Sequence, residues 1–226
     1  MNAGTRTLSI DGPAGSIDVA LDSPAGAPTG IAVVAHPHPL YGGTRDNKVV
    51  QTLARALVAL GHVTWRPNFR GTGGSAGHYD EGIGETEDLL AVVAHARTHA
   101  ASLGLTRPPL VLGGFSFGSY VQARVAARLR EAGEPASRLV LVGTAVSRFD
   151  VGTVPPDTLV IHGEVDETVP LQAVFDWARR QDLPVVVLPG ADHFFHRKLT
   201  LLKRIVLNAF GGPRGDVDDG RPTPGE

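Results

Sequence analysis

Apolar positions along the chain fall into two alternating patterns. Unbroken runs at Ile31–Ala35, Leu110–Leu112, Val140–Val142, Leu159–Ile161 and Val185–Leu188 have the length and β-branched character of strands buried on both faces, and His62–Arg66 reads as a further strand. Between them come helical patterns. Val49, Val50, Leu53, Leu57 and Leu60 lie on one face of a helix from Asn47 to Leu60, with Asp46 as candidate N-cap and Gly61 where the C-terminal cap belongs. Helices are also predicted from Glu85 to about Ala101, where Glu85, Glu87 and Asp88 suit the N-terminal dipole, and from Phe117 to Ala132, closed by Gly133. Two more are predicted over Leu171–Arg180 and Phe194–Phe210.

The first twenty residues differ. Thr7–Ile10 and Ser16–Leu21 alternate in polarity around a cluster of turn formers, Asp11–Gly15, which predicts an antiparallel hairpin at a sheet edge. The alternation of strands and helices implies an α/β fold, a mostly parallel central sheet covered on both faces. One domain is expected over residues 1–210, followed by a Gly-, Pro- and Asp-rich tail, 211–226, expected to be disordered.

Composition narrows the chemistry. A net charge of −2 in 226 residues gives no electrostatic reason to bind nucleic acid or an anionic membrane. No run approaches the roughly 20 apolar residues of a membrane span, and the N-terminus has no apolar segment of signal-peptide length, so the expected location is the cytoplasm. Zero cysteines remove disulfides, thiolate metal sites and a cysteine nucleophile together. Covalent catalysis then requires another residue.

Gly114-Phe115-Ser116-Phe117-Gly118 supplies one. It joins a buried strand to a helix, the setting of a nucleophile elbow, where the serine backbone is strained and only small neighbours fit two positions before and after. The Phe117 amide, at the helix start, would point at a developing oxyanion. A serine hydroxyl needs a base and an acid that orients the base. Two later strand ends offer them, in His162–Pro170 (HGEVDETVP) and Pro189–Phe195 (PGADHFF), on the edge where open α/β sheets keep their sites.

With these motifs in this order the chain resembles the α/β-hydrolase superfamily, in particular small bacterial serine hydrolases related to dienelactone hydrolases and serine aminopeptidases. The resemblance runs from about Leu8 to Phe210 and implies the three-layer α/β-hydrolase fold with Ser116, Asp166 and His193 as the triad. Asp150, after the preceding strand, is the rival acid. Glu164 and Glu167 read as solvated loop charges, Asp192 is too close in sequence to serve His193 easily, His196 reads as a surface residue of the last helix, and His162 as structural. The family draws its second oxyanion donor from the loop after the first central strand, here His36–Gly43, which implies the amide of His38, with Leu40 second; Pro37 and Pro39 have no N–H. The side chains of His36 and His38 either fix this loop or take part in the chemistry. A metal there is disfavoured for want of a carboxylate, and no cofactor is expected. Arg70 is expected to pair with Glu85 and Asp88 and pin the loop from Asn68, the alternative being to bind a substrate carboxylate; Tyr41 and Tyr79 are candidate pocket lining.

Only a short connection, Gly143–Asp157, is available where many relatives insert a helical lid. The resemblance therefore implies a lidless serine hydrolase of small or medium acyl esters or thioesters. The alternatives are a serine aminopeptidase-like peptidase and a non-catalytic binding protein. Serine in place of the dienelactone hydrolases' cysteine weighs against lactone chemistry.

Overall fold

The computed structural model describes residues 4–211. The expected tail lies outside the described residues, except Gly211. Eight strands form one sheet in the order β1-β2-β4-β3-β5-β6-β7-β8, comprising β1 (Thr5–Gly12), β2 (Gly15–Asp22), β3 (Gly30–Ala35), β4 (His62–Pro67), β5 (Leu110–Phe115), β6 (Arg138–Val142), β7 (Leu159–Gly163) and β8 (Val185–Leu188). The hairpin β1–β2 pairs antiparallel within itself and against β4, and every pairing from β4 to β8 is parallel. This is the α/β-hydrolase architecture, with the antiparallel hairpin at one edge.

Among the described residues, five α-helices cover the faces: α1 (Lys48–Ala59), α2 (Ile83–Ser102), α3 (Phe117–Glu131), α4 (Leu171–Arg179) and α5 (Leu199–Phe210). Alternate residues of the buried strands feed two separate cores. Ile31, Val33, Leu110 and Leu112 pack with Leu89, Val92 and Val93 of α2, Val121 and Val125 of α3, and Val174 of α4. Ala32, Val34, Val111 and Val140 pack with Val50, Leu53 and Leu57 of α1 and with Leu202 and Val206 of α5. Because both faces are covered, these strands show no polar alternation.

Element boundaries differ from expectation where local chemistry intervenes. Asn47, not Asp46, caps α1, its Oδ1 accepting the Val49 N–H at 2.9 Å. The last helix begins at Leu199 rather than Phe194, because Phe195 and Arg197 adopt positive φ (54° and 59°), which no helix accommodates. Phe195 is thereby turned fully into the core beside α5. His196 consequently lies in this turn, not in a helix, with Nδ1 2.6 Å from Asp192 Oδ2. The connection from β6 to β7 carries no helix. Among the described residues no helix is long and apolar enough to cross a membrane.

Candidate active site

All parallel strands end at the same edge, so the segments that leave them meet there. β5 runs into Ser116, whose backbone sits at φ 55°, ψ −119°, a strained conformation for a residue with a Cβ. The flanking glycines explain how it is held. A Cβ on Gly114 would stand 2.3 Å from the Gly118 carbonyl oxygen, and one on Gly118 would stand 2.5 Å from the Ala35 oxygen at the end of β3. The Ser116 N–H donates to the Val142 carbonyl at 2.9 Å, fastening the elbow to β6.

Ser116, Asp166 and His193 come together here. His193 Nδ1 donates to Asp166 Oδ2 at 2.7 Å, and its Nε2 lies 3.0 Å from Ser116 Oγ, where it can accept the hydroxyl proton. All three are almost withdrawn from solvent, Ser116 being the most accessible at 9%. Asp166 Oδ1 accepts the N–H groups of Thr168 (2.9 Å) and Val169 (2.8 Å), which fixes the carboxylate plane. Gly143, at φ 56°, leaves room for the His193 ring, since a Cβ there would come within 3.2 Å of its Cε1.

The rival carboxylates lie elsewhere. Asp150 is exposed and accepts the Gly152 N–H at 3.1 Å, and Asp192 turns to His196. Glu164 is not merely solvated: its Oε2 accepts the Gly190 N–H at 2.7 Å, tying the loop of Asp166 to that of His193. Nothing in the local sequence signals this bond, which depends on the pairing of β7 with β8.

The loop after β3 separates its two histidines by role. His36 is fully buried; its Nδ1–H donates to the Pro37 carbonyl at 2.7 Å and its Nε2 accepts the Phe69 N–H at 2.8 Å. Burial pushes its pKa down to about 4, so it is a neutral cross-brace between the loops after β3 and β4. His38 is partly exposed. Its Nδ1 accepts the Leu40 N–H at 3.3 Å and its Nε2 lies 3.1 Å from Tyr79 Oη. Burial, and then the Arg148 charge, hold its pKa below the usual histidine range. The Leu40 amide is thus engaged, whereas the His38 amide has no hydrogen-bond acceptor among the described residues. The Phe117 amide opens α3, outside that helix's own ladder.

Around His38 gather Tyr41, Tyr79 and Phe117, with ring centroids 4.7, 4.7 and 4.9 Å away, so both candidate lining tyrosines border this loop. Arg70 binds Asp88 through both carboxylate oxygens (2.7 and 2.8 Å) and the Gly84 carbonyl at 2.8 Å. Glu85 is not its hydrogen-bonding partner; that carboxylate instead receives the N–H groups of Asp80 and Gly82 at the start of α2. Arg70 is therefore engaged in bracing the loop. Among the described residues no group of three or more His, Asp or Glu is placed to hold a metal ion.

No protein-family model matches the chain. It is similar to an α/β serine hydrolase without lid from Xanthomonas campestris, with 38% identity over 92% of this chain and 94% of that one, at a TM-score of 0.83. It is also similar to an α/β serine hydrolase homologue from Coxiella burnetii, with 37% identity, 91% and 97% coverage, and a TM-score of 0.82. An uncharacterized protein of Rickettsia prowazekii is 31% identical over 199 residues, which are 84% of this chain and 82% of that protein.

Proposed function

The chain belongs to the α/β-hydrolase superfamily, a serine-hydrolase fold, and from that premise we propose that it is a carboxylesterase-type enzyme cleaving small or medium acyl esters or thioesters. One observation carries this reading. Asp166, His193 and Ser116 form a continuous hydrogen-bonded relay of 2.7 and 3.0 Å that ends on a serine held at positive φ.

In this mechanism His193 Nε2 takes the Ser116 proton as Oγ bonds to the acyl carbon, and Asp166 stabilises the imidazolium that forms. The carbonyl oxygen, now negative, accepts the amides of Phe117 and His38. Collapse of the tetrahedral adduct breaks the bond to the leaving oxygen or sulfur, which receives the proton from Nε2. Water, deprotonated by the same nitrogen, then attacks the acyl-enzyme; the second adduct expels Ser116 Oγ, which regains its proton, and the acid is released. Chain residues and water suffice for every step. The helix-free connection between β6 and β7 supports an open site, suited to short acyl groups.

The test is turnover of p-nitrophenyl esters of rising acyl length by the wild type and Ser116→Ala. Rates should peak at short chains and fall by about 10⁴-fold or more in the variant. Equal rates for the two proteins at every length would refute the esterase reading.

A further inference from the structure

His162, near the end of β7, is fully buried and stands behind the relay. Its Nε2 must carry the proton, because it faces the Val169 carbonyl at 2.9 Å, and a carbonyl only accepts. The same nitrogen lies 3.3 Å from Asp166 Oδ2, the oxygen that receives the His193 proton. Its Nδ1 is buried with no partner among the described residues. A buried unpaired acceptor is destabilising, a cost an aromatic hydrocarbon ring in this place would avoid. An imidazole here makes physical sense if its one N–H is needed.

That N–H acts on the carboxylate from two directions. The Val169 residue donates its own N–H to Asp166 Oδ1 and gives its carbonyl to His162, so the segment cradling one carboxylate oxygen is held by the histidine. The other oxygen has the positive end of the same N–H beside it. We propose that His162 is a positioning residue for the hydrolytic relay, acting through Asp166: it fixes the cradle of Oδ1 and moderates the pull of Oδ2 on the His193 proton. The inference rests on the reading of Asp166 as the triad acid.

The ring does this without a charge. Burial holds His162 below the ordinary histidine range and the neighbouring His193 lowers it further, against the opposing influence of the Val169 hydrogen bond and of Asp166, the charged group that favours its protonation. Near neutral pH it therefore supplies a dipole, and no second cation opposes the imidazolium that His193 becomes during turnover.

The experiment compares the wild type with His162→Phe, which keeps a ring and loses the N–H, and His162→Gln, whose amide can return a donor near the Nε2 position. The probe is p-nitrophenyl acetate, with the far-downfield proton signal of His193 Nδ1 recorded on the free proteins. In His162→Phe, kcat should fall about tenfold with KM within about twofold. The acid limb of the pH–rate profile should move to higher pH, because an unmoderated Oδ2 stabilises the imidazolium, and the downfield proton should shift or broaden. His162→Gln should recover most of kcat. A folded His162→Phe with wild-type kcat, acid limb and proton signal overturns the proposal. Should His162→Phe fail to fold, His162→Gln against His162→Asn decides: equal kcat and equal downfield signals refute it, since asparagine places its amide near Nδ1 instead. Ser116→Ala and Asp166→Asn, run alongside, isolate the premise. Wild-type turnover surviving either substitution would sink the triad itself, whatever His162 does.

Discussion

Replacing Gly118 by alanine tests how the elbow is built, because propensity and sterics point in opposite directions. Alanine inside α3 is worth up to about 1 kcal/mol in helix propensity. Against that, the new Cβ would stand 2.5 Å from the Ala35 oxygen and 2.6 Å from both the Ala35 carbon and the His36 oxygen. These are backbone atoms of a strand end held by the β3–β5 ladder, so no side chain can swing away. Overpacking of this kind costs about 1–3 kcal/mol or more. The net loss should be about 1–2 kcal/mol, seen as a fall in Tm of roughly 2–8 °C for a chain of this size. Relief to 3.0 Å, the closest approach real Cβ atoms tolerate, moves the elbow and the His36–His38 segment apart by about half an ångström. Ester turnover should then fall about tenfold, given that a 1 Å misplacement costs about a hundredfold. Gly113→Ala is the control. Its Cβ would meet Val34 Cγ2 at 3.6 Å, an ordinary contact, and should leave Tm unchanged or raise it slightly. Differential scanning calorimetry and p-nitrophenyl acetate turnover on both variants settle the matter. If Gly118→Ala matches Gly113→Ala in both, the steric account of the elbow is wrong.

Two further substitutions probe the loop braces. The unfolded chain protonates His36 below about pH 6.5 and the folded protein only below about 4, so its contribution is complete above pH 6.5 and is lost as pH falls through that window, roughly 3 kcal/mol in all. Urea midpoints at pH 7 and 4.5 should therefore fall less steeply in His36→Gln than in the wild type; identical slopes would contradict a neutral buried His36. Asp88→Ala leaves the Arg70 guanidinium, 12% exposed, with the Gly84 carbonyl at 2.8 Å and a single carboxylate within 4 Å, that of Asp80 at 3.8 Å, and should cost about 2–3 kcal/mol by urea unfolding. If Arg70 serves structure alone, Asp88→Ala should slow hydrolysis of anionic and neutral acyl esters by the same factor; a selective effect on the anionic ester would instead give Arg70 a role in substrate binding.

What the sequence reveals follows the range of the forces involved. Runs such as Ile31–Ala35 and the glycines around Ser116 carry their signal within a few residues, and so the strands and the elbow are legible. The loops bearing Asp166 and His193 are legible because each directly follows a recognisable strand. Features that depend on pairing are not. Glu164 reaches Gly190 only because β7 and β8 are neighbours, and Glu85 caps α2 rather than pairing with Arg70 because the Asp80–Gly82 turn reaches its carboxylate first. Phe194–Lys198 looks helical by apolar spacing, yet the core demands Phe195 more strongly than the helix does, and the chain accepts two positive φ values to deliver it. His36 shows its role only once Phe69, from another strand end, is in place.

The Glu164–Gly190 bond, together with the Val165 N–H to Ala191 carbonyl bond at 3.0 Å, has a consequence for anyone redesigning the pocket. Asp166 and His193 are carried by a single two-loop cassette, whereas Ser116 belongs to a different part of the framework. Grafting one of those loops from a relative would sever the crosslinks and detune the relay even if every reactive side chain were retained. Exchanging residues 163–170 and 189–198 together, as one replaceable part, should transfer intact geometry and leave the β3 and β6 exits free to be diversified for new substrates.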